Sequence, residues 1–92
     1  MGQLGKGETD QVGAIVAELR ELIGPGPSDA ELEAYASQVA RLRDSRRRIE
    51  AEGMIVADPK GYPIPHPAIP IERAAQAEVR QWAAKFPPRF DA

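Results

Sequence analysis

Ninety-two residues with no cysteine bound the chain to one small domain and exclude disulfides and thiolate metal sites. Only 5% of the residues are aromatic, so an isolated core is thin, and partner chains are the expected extra source of stability. A net charge of −2 argues against a wholly basic nucleic-acid binder, and no apolar run reaches the roughly 18 residues of a membrane span.

Residues 1–8, with three glycines and no periodicity, are expected to be a flexible leader. They lack the order of a signal peptide, and Lys6 stands where a myristoylation signal needs Ser or Thr. Thr9 is placed to cap a first helix. Val12, Ile15, Val16, Leu19, Leu22 and Ile23 then follow at three- and four-residue spacing, one apolar stripe. Gly24-Pro25-Gly26-Pro27 ends that helix.

Ser28 and Glu31 form a capping box, and no breaker follows until Gly53. A second helix is expected over Asp29–Glu52, about 36 Å long at 1.5 Å per residue. Leu32, Tyr35, Val39, Leu42, Arg46 and Ile49 lie at alternating steps of three and four, the spacing of a coiled-coil seam, and are the candidate oligomer interface. Arg46 fills the one polar position of that seam. A guanidinium there needs a partner or a way out to water, and an ion pair or hydrogen bond across subunits is the expectation.

Met54–Ala57 reads as a strand, Asp58-Pro59-Lys60-Gly61 as a type I turn, and Tyr62–Ile64 as the return strand. The hairpin, at about 54–64, is too short to stand alone. Tyr62 and Ile64 either join the oligomer interface by adding to a partner's sheet or cover the second helix. A third helix begins at His66-Pro67 or at Pro70. Its stripe is Ile71, Ala75, Val79, Trp82 and Phe86, and Pro87-Pro88 stops it. Trp82 and Phe86, four residues apart, read as core before they read as a base-stacking platform. Residues 9–86 thus form a single helical domain, and 87–92 a C-terminal tail.

The chemistry-bearing feature is the arginine run. Residues 1–40 carry two basic and seven acidic side chains, net −5, whereas residues 41–48 carry five arginines and Asp44, net +4. Arg41, Arg43, Arg47 and Arg48 are the candidate phosphate contacts, repeated in an oligomer. The plain alternative is a solvated face with local pairs such as Asp44 with Arg48 or Arg46 with Glu50. His66 is the only histidine, flanked by prolines and without a nucleophile motif, and reads as a helix-start or packing residue. There is no phosphate-loop motif. Neither catalytic residues nor a metal or cofactor are expected.

The run from Arg41 to Val56, RLRDSRRRIEAEGMIV, then Asp58-Pro59-Lys60-Gly61, then Pro65-His66-Pro67-Ala68-Ile69, resembles the small terminase subunits of tailed bacteriophages. The shared pattern is a long helix ending in Glu-Gly, an apolar strand, an Asp/Asn-x-x-Gly turn, an Asn- or His-Pro-x-Leu/Ile step and a further helix. It covers about residues 30–86.

The resemblance implies a mainly α protomer, helix–long helix–short hairpin–helix, assembled as a homo-oligomeric ring. It implies a non-enzymatic protein that recognises viral double-stranded DNA. Such a protein recruits and regulates the large terminase subunit, the ATPase and nuclease, in the cytoplasm of the infected or lysogenic bacterial host. Two features depart from the pattern: Lys85-Phe86-Pro87-Pro88-Arg89-Phe90 stands where a Gly-Leu-Thr-Pro-like turn is common, and the N-terminal part is acidic. The competing reading is a protein-interaction adaptor or inhibitor of phage or satellite origin, contacting packaging components through its acidic first helix. A small DNA-binding regulator ranks below both, because no recognition helix is visible.

Overall fold

Punctuation by glycine and proline sets the element order. The computed structural model describes residues 6–89 and shows α1 (Lys6–Ile23), α2 (Asp29–Glu52), β1 (Ile55–Ala57), β2 (Pro63–Pro65) and α3 (Ala68–Lys85). The protein is mainly helical, with one two-stranded antiparallel hairpin. No helix among the described residues is long and apolar enough to cross a membrane.

α1 starts at Lys6, so Thr9 lies inside the helix rather than at its cap. Nothing between Lys6 and Thr9 forbids helical backbone angles, since no proline interrupts the segment. Of the expected leader, residues 1–5 lie outside the described residues. α1 ends where Gly24 takes φ +91° and donates its N–H to the Arg20 carbonyl at 2.9 Å. The Arg20 side chain then gathers the linker. Its Nη1 donates to the carbonyls of Gly24 (3.2 Å) and Pro27 (2.9 Å), and its Nη2 to Asp29 Oδ1 (2.9 Å). The C-terminal tail returns to the same corner, where Arg89 N–H donates to the Leu22 carbonyl at 3.0 Å.

α2 is the spine. Its capping box is complete: Glu31 N–H donates to Ser28 Oγ (3.1 Å) and Ser28 N–H to Glu31 Oε1 (3.0 Å). Both α1 and α3 pack along it. Ile15 and Leu19 of α1 meet Leu32, Tyr35 and Ala36 of α2, with Val79, Trp82 and Ala83 of α3 against them. Tyr35, Trp82 and Phe86 stack in series, with centroids 6.0 and 6.1 Å apart, and Lys85 Nζ lies 5.5 Å from the Trp82 ring centroid. Trp82 therefore packs on the core, and burial pushes the Tyr35 hydroxyl above its usual 10.0.

The seam of α2 is accordingly occupied within the protomer. Leu32, Tyr35 and Leu42 are buried, while Val39 and Ile49 are half-buried. Arg46 does not point into an apolar layer. It is half-exposed, and its Nε donates to Glu72 Oε1 of α3 at 3.2 Å. The partner expected on another subunit is thus supplied by the same chain. α3 crosses the seam at that height, which the local spacing of α2 does not encode.

The hairpin pairs Ile55 with Pro65, Val56 with Ile64 and Ala57 with Pro63. Its turn is held by Asp58, whose Oδ1 accepts the N–H groups of Lys60 (2.9 Å) and Tyr62 (2.8 Å). Gly61 N–H donates to the Asp58 carbonyl at 2.9 Å, and Gly61 itself takes φ +88°. α3 opens at Ala68, with Pro67 already helical at φ −60°, ψ −20°. Pro70 sits in its first turn, where no intrahelical donor is missed.

Candidate nucleic-acid interface

Five arginines in eight residues must spread around a helix, because each residue turns by about 100°. α2 sends them in three directions. Arg41, Arg47 and Arg48 line one open cleft of about 620 Å³ between the starts of α1 and α3. Gln11, Ser37 and Ser45 add polar groups to its wall, and Val12, Ala40, Ala68 and Ile71 supply apolar surface. Arg43 is turned away and pairs with Glu18 of α1, Nη2 to Oε2, at 3.3 Å. Arg46 goes to Glu72, as described above.

Inside the cleft, Arg47 is engaged by Asp44 one turn back. Arg41 and Arg48 have no ion-pair or hydrogen-bond partner among the described residues. Of the four candidate phosphate contacts, the structure therefore brings three together. Two of these, Arg41 and Arg48, meet no carboxylate partner among the described residues, and the cleft they line is open.

α3 packs on α2 beside the cleft, and Ser45 of α2, Ala68 in the first turn of α3 and Ala75 two turns on are all buried, small side chains that permit close approach of the helices. Ser45 Oγ donates back to the Leu42 carbonyl at 3.0 Å, so its hydroxyl is satisfied without a partner on α3.

His66 fixes where α3 begins. It is 2% exposed. Its Nδ1 accepts the Ala68 N–H at 2.9 Å, and its Nε2 lies 3.0 Å from Glu52 Oε1. A ring nitrogen that accepts a backbone N–H carries no proton, so the hydrogen sits on Nε2 and is donated to Glu52. His66 N–H also donates to the Met54 carbonyl at 2.7 Å, and its carbonyl accepts from Ile69 N–H at 3.0 Å. One residue therefore joins the end of α2, the hairpin and the start of α3. The sequence marks it as a helix-start residue, and the structure agrees; its bond to Glu52, fourteen positions back, leaves no local signal. Glu72 likewise has none, beyond the need of Arg46 for a carboxylate.

No curated protein and no solved structure matches the chain significantly. A family model described as phage terminase, small subunit, matches residues 14–87, from the middle of α1 to just past the end of α3. The five arginines of α2, the hairpin and the His66 junction all fall within that match, and the chain belongs to the phage terminase small-subunit family.

Proposed function

We propose that this protein is the non-catalytic, DNA-engaging subunit of a phage genome-packaging machine. It works as a homo-oligomeric ring that recognises viral double-stranded DNA and recruits and regulates the large terminase ATPase–nuclease in the cytoplasm of the bacterial host. The family match supports the packaging role. The observation that supports the DNA contact is the pair of guanidinium groups, Arg41 and Arg48, that have no partner among the described residues and flank one cleft with Arg47. A chain of net charge −2 has little to attract DNA as a whole. A ring that repeats this cleft presents many cations at one height, and affinity then comes from phosphate neutralisation without base readout.

The expected outcome is duplex binding whose logarithm falls linearly with the logarithm of salt concentration, with a slope of about −0.9 per neutralised phosphate. The double variant Arg41→Ala/Arg48→Ala should flatten that slope, whereas Arg43→Ala, already engaged by Glu18, should change it less. Absence of duplex binding by the intact oligomer at about 50 mM salt overturns the DNA role.

The adaptor reading has one observation in its favour: Leu22 is 43% exposed on α1, beside exposed Glu21 and one turn from Glu18. Such a surface suits a protein partner. Light scattering separates the two, since a ring requires many copies and an adaptor requires one or two.

A further inference from the structure

The two outer edges of the hairpin differ chemically. Asp58 N–H donates to the Tyr62 carbonyl (2.8 Å) and His66 N–H to the Met54 carbonyl (2.7 Å). In an antiparallel ladder, hydrogen-bonded pairs recur every second residue, so Val56 with Ile64 is the bonded pair between them. Residues 55, 57, 63 and 65 therefore turn their backbone groups outward. On β2 these are Pro63 and Pro65, which have no N–H to offer. On β1 they are Ile55 and Ala57, each with an N–H and a carbonyl that meet no partner among the described residues. Folded chains usually blunt exposed edges, with proline as one device. Here β2 is blunted and β1 is not. Met54 and Ile55, 65% and 62% exposed, lie along the open edge, and no helix packs broadly on it.

We propose that the edge of β1, Ile55–Ala57, pairs antiparallel with the same edge of a second copy of this chain. An antiparallel pairing centred on Val56 sets Ile55 against Ala57 of the partner in both directions and makes four backbone hydrogen bonds. The pattern is self-complementary, as a two-fold contact requires. Charge selects the same direction. Glu50 precedes β1, with Glu52 beside it already accepting from His66, and Lys60 follows it. Asp58, the other charge at that end, is taken up by the N–H groups of Lys60 and Tyr62. Antiparallel pairing brings the carboxylates of each copy toward the lysine of the other, and parallel pairing brings like charges together. The open edge thus belongs to β1, not to β2, which contains Ile64 and follows Tyr62. This contact does not rest on the DNA-packaging role, and it differs from the head-to-tail contacts that close a ring.

A cysteine-free chain gives a direct test. Val56 faces its own copy across the two-fold axis as a non-hydrogen-bonded pair, with Cα atoms about 4.5 Å apart, within disulfide range. Oxidised Val56→Cys should run mainly at twice the 10.0 kDa chain mass on a non-reducing gel. Glu33→Cys, on the exposed side of α2, should stay monomeric on that gel. Adding Ala57→Pro to Val56→Cys should abolish the dimer, because Ala57 donates only outward and its loss leaves the hairpin's own ladder intact. In the wild-type background Ala57→Pro should halve the mass measured by light scattering, with helicity unchanged by circular dichroism. That second arm decides the matter if Val56→Cys does not fold. A helical Ala57→Pro with wild-type mass overturns the proposal, as does a folded Val56→Cys that forms no more dimer than Glu33→Cys.

Discussion

His66 shows how much one side chain can hold. Imidazole Nδ1 and the amide oxygen of asparagine both stand where they accept a backbone N–H two residues on. That equivalence gives a physical reason for a motif that takes either residue before proline. His66→Asn should keep the bond to Ala68 and lose only the one to Glu52. His66→Ala loses both and leaves the Ala68 N–H buried without an acceptor, a cost of about 1–3 kcal/mol. Urea denaturation should rank the three proteins wild type, then asparagine, then alanine; an alanine variant as stable as the wild type removes the junction role. Arg46 teaches the opposite lesson. Its position in the seam signals that it needs a partner or water, and it has both, yet spacing along α2 cannot say whose carboxylate it meets. Glu72 is 26 residues away and reaches it only because α3 folds back.

At the level of elements, the boundaries of α2 were legible because both ends carry their own chemistry, Ser28 with Glu31 at one and Gly53 at the other. Gly53 takes φ +89°, which few residues but glycine adopt readily. The hairpin was legible for the same reason, through Asp58 and Gly61. The start of α1 was not, since nothing in the sequence distinguishes Thr9 from a residue already inside a helix. The α2 cap also makes a pH prediction. The Glu31 carboxyl is held below its ordinary 4.5, first by its hydrogen bond from the Ser28 N–H and then by Lys85, whose Nζ lies 3.1 Å away. A carboxyl with a lower pKa when folded stabilises the fold above its unfolded value, and that contribution is lost as pH falls through the folded value. Amide exchange at Glu31 and Leu32 should therefore quicken as pH drops below about 4.5, after correction for intrinsic rates. Glu31→Gln should remove the acid-dependent change. Equal protection in the wild type at neutral and acid pH contradicts the role assigned to the cap.

Across the whole molecule, the protein measures 51 × 31 × 17 Å, a slab with α2 as its shared wall. The apolar stripes of all three helices were largely readable from period, except that Leu22 and Ile71, expected in them, are each 43% exposed. The way those stripes are used was not. Spacing fits a seam between subunits as well as a layer within one, and the choice depends on how α1 and α3 fold over α2. Because α2 serves both neighbours, the residue at their meeting point should matter most. Leu32 is fully buried against α1, with α3 packed on the same core. Leu32→Ala should cost about 2–5 kcal/mol, read as a lower urea midpoint. A loss below about 1 kcal/mol means that the two helix layers are not coupled through this core.

The prolines of β2 have a consequence for growth as well as for pairing. A strand pair with two open edges can recruit copies without limit, each addition exposing a fresh template. With Pro63 and Pro65 along one side, any chain that joins at β1 turns a donor-poor back to the solvent. Addition then terminates after a single step. On the proposed pairing, the same two residues that look like flaws in a strand would set a stop to growth, so that an exposed apolar hairpin pairs once and seeds no fibre.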